Sequence, residues 1–290
     1  MIFDLHSHTL ASDGKFTSEE LVLRAVEHRV SVLAITDHDS VAGLPSAREA
    51  IKKHNLPLHL IAGIEISTVW ENKDIHVVGL NVDENNPILQ SFIVEQAERR
   101  DQRAILMGER LARANIEGAY EGAKKLAGDG SLTRSHFAQW LVEHGYANTM
   151  QNVFKKYLGR GKIGYVPPQW CSISEAIEII HQVGGQAVLA HPHRYKLTPK
   201  WTKRLLNDFS QAGGDGMEVA LPQQTQDNRR LLVQYSNDYN LLASQGSDFH
   251  YPSAWSDLGR NLWLPAGATA IWDDWNLPKV IEPQQSNIEN

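Results

Sequence analysis

The sequence predicts an α/β fold, a barrel-type domain of parallel strands interrupted by a small all-α insertion. Two patterns and one count predict it. Short apolar runs alternate with amphipathic helical stretches as far as Leu80, and the alternation resumes after Val166. Between roughly Arg100 and Val166 the strand-like runs vanish and helical ones follow one another. The runs number about seven, one short of the common eight-stranded barrel.

The first strand reads Ile2 to His8, followed by a turn at Asp13-Gly14. Thr17 stands three residues before Glu20 as a capping box, and Phe16 can staple onto Leu21, so a helix starts there. Val32 to Thr36 is the second strand and ends in Asp37-His38-Asp39. Helical sequence from about Gly43 to His54 precedes a third strand, Leu58 to Ser67, and Ile75 to Leu80 makes a fourth. Pro87 opens a long helix reaching about Asn115. Ala119 to Leu126, Arg134 to His144 and Met150 to Leu158 then read as short helices between glycine-containing turns. Gly159-Arg160-Gly161-Lys162 and Pro167-Pro168 mark the exit from the insertion. Strands follow at Ala187 to Ala190, Met217 to Val219 and Leu241 to Ser244. Thr198-Pro199 starts the helix between the first two of these, with proline at the favoured first position. The expected divisions are 1–99 and 167–280 for the two parts of the barrel, 100–166 for the insertion, and 281–290 for a polar tail.

Composition narrows the function classes. A net charge of −6 without a basic stripe argues against coating long duplex DNA, but leaves room for a short anionic substrate held by a few arginines. Cys171 is the only cysteine, which excludes a disulfide framework or a zinc ribbon and reads as a packing residue in a cytoplasmic protein. No apolar run approaches the length of a membrane span, and the opening MIFDLHSHTL does not look like a signal peptide.

Side chains alternate along a strand, so Asp4, His6 and His8 share one face, which in a barrel points inward. Two imidazoles two residues apart at a carboxyl-terminal strand end are placed to chelate a metal ion. His38, Glu65, His76, His191, Asp248 and His250 also fall at or near strand ends, and Asp13 lies in the loop after the first strand. Isolated histidines on helices, namely His28, His54, His144 and His181, read as solvated polar residues. Six histidines gathered with Asp13, Glu65 and Asp248 instead point to a multinuclear metal site.

The ordered stretches Asp-Leu-His6-Ser-His8-Thr, Ser-Asp13-Gly, Ile-Thr-Asp-His38-Asp, Gly-Ile-Glu65-Ile-Ser, Ile-His76-Val-Val-Gly, Ala-His191-Pro and Gly-Ser-Asp248-Phe-His250 resemble those of the PHP (polymerase and histidinol phosphatase) domain. The resemblance implies a distorted (β/α)7 barrel and a trinuclear site. It assigns His6, His8, Glu65 and Asp248 to one ion, with Glu65 bridging to a second held by His76 and His191. Asp13, His38 and His250 would hold a third. Mixed imidazole and carboxylate donors suit Mn²⁺, the usual ion in this family, or Fe²⁺ and Zn²⁺, more than Ca²⁺ or Mg²⁺. Asp4, Asp37, Asp39 and Glu218 become candidates to orient the histidines from behind.

The helical insertion and the stretches around Trp70, Lys155-Lys156 and Tyr165 to Trp170 are similar to the branch of nucleoside 3′,5′-bisphosphate phosphatases and 5′-to-3′ exoribonucleases. That likeness implies action on short 5′-phosphorylated RNA, including trimming of ribosomal RNA ends, and on nucleoside 3′,5′-bisphosphates. The nucleophile would be a hydroxide bridging two ions, held by Glu65 and Asp248. Arg99, Arg103, Arg134, Lys156 and Arg160 are the expected substrate-phosphate cations, because a fork-shaped guanidinium matches a phosphate. Tyr165 and Trp170 could stack a base. His193 stands where the family pattern calls for glycine, so no metal role is carried over to it, and it reads as a tolerated surface residue in preference to a proton donor. The alternatives are a histidinol-phosphate-type phosphatase, an amidohydrolase, and a non-catalytic, metal-stabilised module.

Overall fold

The structure, a computed structural model, describes residues 1–277. The expected tail 281–290 and the last three residues of the second barrel part lie outside the described residues. Strands β1 (Ile2–Asp4), β2 (Val30–Ile35), β3 (His59–Trp70) and β4 (Lys73–Leu80) come first, with helices α1 (Ser18–Glu27) and α2 (Leu44–Lys53) between the first three. Helix α3 (Pro87–Ala112) leads into α4 (Ala119–Ala127), α5 (Arg134–Glu143) and α6 (Met150–Val153), which runs into a π-helical turn, Phe154–Leu158. The chain returns through β5 (Cys171–Ser172), α7 (Ile173–Gln182), β6 (Gln186–Leu189), α8 (Pro199–Gln211), β7 (Gly216–Ala220), α9 (Gln226–Asp238) and β8 (Leu242–Gln245).

Local chemistry starts the helices where expected. Thr17 and Glu20 form the reciprocal capping box of α1. Asn86 caps α3 ahead of Pro87, and Thr133 caps α5. All seven expected strands are present, joined by β5, a two-residue strand too short to show a period.

The strands are not all parallel, which corrects the sequence expectation. The sheet order is β1-β2-β3-β4-β6-β7-β8, with β5 paired to β3 off this path. Strand β4 runs antiparallel to both β3 and β6. The cause is a two-residue hairpin at Glu71 and Asn72, whose φ angles of 48° and 58° are those of a type I′ turn. Without glycine, this turn carries little sequence signal. Regular pairing of β1 with β2 stops at Asp4. Beyond it residues 5–8 bond to the end of β8 and the chain after it: Leu5 N–H to Gln245 O (3.1 Å), Asp248 N–H to His6 O (2.8 Å) and His8 N–H to Phe249 O (2.9 Å). The regular ladder does not close between β8 and β1.

The sheet buries both faces. Leu33, Ile35, Ile64 and Met217 pack against the helices, while Leu5, Val32, Ala34, Val78 and Val188 form an inner cluster with Ile271. A separate apolar cluster contains only residues between Ala104 and Val166. Helix α3 spans both territories, with Leu89 and Phe92 in the first and Met107 and Leu111 in the last. No described helix is long and apolar enough to cross a membrane.

Candidate metal centre

The nine side chains singled out above converge where β1, β2, β6 and β8 end and β3 and β4 pair. His76 joins them because β4 is reversed: its amino-terminal part lies at the end where parallel strands finish. Gly246 makes the convergence possible. A Cβ there would stand 2.4 Å from His6 Cβ, so the chain after β8 could not approach β1 with any side chain present.

Glu65, fully buried on β3, is the hub. Its Oε2 lies 3.3 Å from His6 Nε2, 3.3 Å from His8 Nε2 and 3.0 Å from His38 Nδ1. Its Oε1 lies 2.8 Å from His76 Nδ1 and 3.1 Å from His191 Nε2. Asp248 Oδ1 stands 3.4 Å from His6 Nε2 and 3.1 Å from His8 Nε2. Asp13 Oδ1 stands 3.1 Å from His250 Nε2 and 3.7 Å from His38 Nε2. Donor atoms fall into three groups with ion-holding spacing: His6-His8-Glu65-Asp248, His8-Asp13-His38-His250 and His38-Glu65-His76. His191 lies outside the three groups but touches the same hub.

These residues fit metal ions by an observation of their own. His6 Nε2, Asp13 Oδ1, His38 Nδ1, Glu65 Oε2 and His191 Nδ1 are buried without any hydrogen-bond partner. Buried polar atoms are almost always satisfied, so five unsatisfied ones in one cluster are the signature of a site completed by cations. The electrostatics agree. Burial opposes ionisation of Glu65, yet His38, His6 and His76 outweigh it and hold the carboxyl well below its usual range. Burial likewise opposes charge on Asp248, where Arg194 and His6 prevail, and on Asp13, where His250 and His38 prevail. Three charged carboxylates buried together attract cations.

The carboxylates behind the cluster divide. Glu218 accepts from His6 Nδ1 at 2.7 Å and from the His191 amide at 2.5 Å, so it fixes two of the histidines. Asp37 accepts from Ser12 Oγ at 2.5 Å, and that hydroxyl lies 3.4 Å from His8 Nδ1. Asp4 and Asp39 depart from expectation, for neither contacts a histidine side chain. Asp4 takes the amides of Ser247 (2.7 Å) and Gly259 (2.8 Å). Asp39 takes the Ser67 amide (2.8 Å) and pairs with Arg100. Both carboxylates are consumed by loop backbone or a buried cation. His191, Asp248 and Asp39 all hold positive φ, at 30°, 50° and 47°. Such left-handed non-glycine residues cluster at sites where surrounding contacts over-determine the backbone.

A cavity of about 630 Å³ opens over the cluster. Arg100, Arg103, Arg134 and Arg194 line it, together with Trp170 and Phe154. Arg103 and Arg134 converge on Asp74, at 3.4 and 3.1 Å, and Trp170 Nε1 donates to the same carboxylate at 2.9 Å. The Trp170 ring has the Arg100 and Arg103 guanidiniums 4.8 and 5.1 Å from its centre.

Three of the expected phosphate-binding residues are elsewhere. Arg99 faces away from the cavity toward Gln96, Glu95 and Glu175. Lys156 and Arg160 are exposed to solvent and line no part of it. Arg99 is one residue from Arg100, about 100° around α3, which turns it toward Glu175, while Lys156 sits on the π-helical turn and Arg160 just beyond it. Tyr165 is also off the cavity. Arg194 was overlooked, although its place three residues after His191 was a usable signal. It pairs with Asp248. His193 is half-buried rather than on the surface, 3.0 Å from Gln224. Cys171 is buried in the main core.

Residues 4–162 match the PHP domain. The chain belongs to the PHP family. Among curated PHP relatives, the 5′-3′ exoribonuclease Rnm of Salmonella typhimurium is 56% identical over 282 residues, covering 97% of this chain and 96% of that protein. A 3′,5′-nucleoside bisphosphate phosphatase of Chromobacterium violaceum is 38% identical, covering 97% and 98%. A solved structure from Chromobacterium violaceum, described as an amidohydrolase with bound sulfate and no metal, superposes with a TM-score of 0.87 at 38% identity. It covers 94% of this chain and 95% of that one.

Proposed function

We propose that this PHP chain is a metal-dependent phosphoesterase: a 5′-3′ exoribonuclease that releases 5′ mononucleotides from short 5′-phosphorylated RNA and removes the 3′ phosphate of nucleoside 3′,5′-bisphosphates. One observation carries the reading. A single cavity has seven of the nine cation-seeking side chains at its floor, with His6 and His8 behind them on Glu65, and four arginines on its wall. The floor suits the reacting phosphate, and the wall suits a second phosphate on the same substrate. The near-full-length likeness to Rnm and to the bisphosphate phosphatase supports the choice of RNA and bisphosphates.

In this proposal His6, His8, Glu65 and Asp248 hold one ion, Glu65, His76 and His191 a second, and Asp13, His38 and His250 a third. Mn²⁺ is the first choice, with Fe²⁺, Zn²⁺ or Mg²⁺ as alternatives. When bound, the ions supply an activated water and offset the charge of the phosphoryl oxygens. The chain's own residues do the rest. Glu218 keeps His6 Nδ1 engaged and so leaves Nε2 for the cluster. Arg134 and Arg103 face the second phosphate in competition with Asp74, while Trp170 and Phe154 give a base an aromatic wall. We read the fold as a seven-stranded distorted barrel, and residues 100–166 as an inserted subdomain that shapes this wall.

The test is to incubate the Mn²⁺-loaded protein with a 5′-phosphorylated five-nucleotide RNA, with Asp248→Ala as control. Stepwise appearance of 5′ mononucleotides, absent in the control, is the expected result. Intact RNA beside conversion of adenosine 3′,5′-bisphosphate to AMP would reduce the protein to a small-molecule phosphatase. Inertness toward both would overturn the reading and make histidinol phosphate the next substrate.

A further inference from the structure

We propose that a groove on the far rim of the cavity, built around Trp255 and Arg260, binds the 3′-ward nucleotides of a single-stranded RNA. The inference rests on the exoribonuclease reading above. A cavity of about 630 Å³ is of the size that encloses one small ligand, so the rest of an RNA chain must lie outside it.

The structure covers one side of the cavity. The insertion walls off the side over the β1 loop and the β3–β4 hairpin: Ser131 N–H donates to Ala11 O at 2.9 Å, Thr133 Oγ1 to Asp13 at 3.1 Å, and Arg134 pairs with Asp74. The opposite rim is made by loops after β6, β7 and β8. These loops are tied to one another. Gln224 joins His193 at 3.0 Å, Asn261 Nδ2 donates to Pro222 O at 2.9 Å, and the fully buried Arg229 donates to both Leu221 O and Asn261 O. The histidine that departs from the family pattern therefore acts as a clasp between two rim loops.

On this rim lies a second groove of about 450 Å³, lined by Pro222, Gln223, Trp255, Arg260 and Asn261. Only four residues separate His250, in the cavity, from Trp255, in the groove. Trp255 is 74% exposed, an extreme value for the largest apolar side chain. Arg260 is exposed and makes no ion pair among the described residues. An exposed aromatic ring beside an unpaired cation, on loops that border the cavity of the proposed phosphoesterase, is the recognition chemistry of single-stranded nucleic acid: a base stacks and a phosphate pairs. It is sequence-tolerant, as an exonuclease requires.

The experiment compares adenosine 3′,5′-bisphosphate with a 5′-phosphorylated ten-nucleotide RNA, using the Mn²⁺-loaded full chain. Trp255→Ala should raise KM for the ten-mer about 5- to 150-fold, the range of one lost base stack. Its kcat, and both constants for the bisphosphate, should stay within twofold. Trp255→Phe should retain most of the affinity, and Arg260→Ala should weaken it in a salt-dependent manner. Equal KM for wild type and Trp255→Ala on the ten-mer would overturn the proposal, as would an equal rise on both substrates. So would a Trp255→Ala variant that turns a dimer into a monomer without affecting RNA, since the groove would then seat a second copy. If the wild type hydrolyses no RNA, the exoribonuclease reading fails separately. The groove is then judged by fluorescence anisotropy of a 3′-labelled ten-mer on Asp248→Ala protein: binding lost with Trp255→Ala sustains it, and unchanged binding refutes it.

Discussion

Arg100→Met tests whether one buried ion pair joins helix α3 to the candidate metal centre. Arg100 is 8% exposed and pairs with Asp39 Oδ2, donates to Ser67 Oγ at 2.8 Å, and reaches Leu132 O at 3.3 Å. Asp39 Oδ1 keeps the Ser67 amide and Gln96, but Oδ2 has Arg100 as its donor. Methionine preserves most of the volume and an apolar contact with Trp170 while removing the charge. The carboxylate would be left buried with half of its oxygens unserved. Removing one partner of such a pair costs about 3–5 kcal/mol, most of it the penalty of the stranded charge. Adding Asp39→Asn removes that charge, so Arg100→Met/Asp39→Asn should be less destabilised than the sum of the single variants by about 1–3 kcal/mol. Urea denaturation of the four proteins, run in chelator so that ion binding plays no part, measures the cycle. Asp39 donates its amide to Glu65 O at 2.9 Å, so the single variant should also lose hydrolytic activity. An Arg100→Met cost below about 1 kcal/mol, or strict additivity in the cycle, would refute the reasoning.

Three further outcomes are expected. Chelation should lower the melting temperature and Mn²⁺ restore it, by about 2.7 kcal/mol at a hundredfold excess over Kd, and Asp13→Ala should bind one ion fewer by elemental analysis. Glu218→Gln should weaken ion binding about 10- to 100-fold with little change in fold, read by competition with a metal indicator, because only the group behind His6 and His191 is altered. For the Arg24–Asp257 pair, with contacts of 2.9 and 2.5 Å, burial raises the Asp257 pKa but the Arg24 hydrogen bonds outweigh it and hold the carboxyl below its usual range. Its folded pKa therefore lies below the unfolded value of about 3.9, so the pair stabilises above that pH and its contribution is lost as pH falls through the folded value. Arg24→Met should cost about 1 kcal/mol at pH 7, and denaturation midpoints of variant and wild type should merge in more acidic buffer.

Much of the site was legible before any tertiary contact was known. Strand ends and helix caps obey local rules: Thr17 with Glu20 marks a helix start, and apolar runs such as Val32 to Ile35 mark buried strands. Chemistry at strand ends in a barrel must converge, so His6, His8, His38, Glu65, His191, Asp248 and His250 could be grouped from position alone. The antiparallel β4 could not, because a Glu71-Asn72 hairpin depends on two left-handed residues whose side chains do not announce it.

The arginines of α3 divide along the same physical line. That α3 would carry a row of cations was written in its sequence. Which of them faces the cavity was not. A rotation of 100° per residue turns Arg99 outward and Arg100 inward, and the phase of the helix is set by Met107 and Leu111 packing into the apolar cluster of residues 104–166. Asp4 and Asp39 followed the same logic: their position beside the histidines was visible, but their partners come from residues 247, 259, 67 and 100, brought near only by folding. By itself, then, the sequence determined which side chains this protein brings to its strand ends. Tertiary packing alone decided which lone pairs remain unsatisfied there, because hydrogen bonds are short-ranged and are allotted by whichever distant segment arrives within 3 Å.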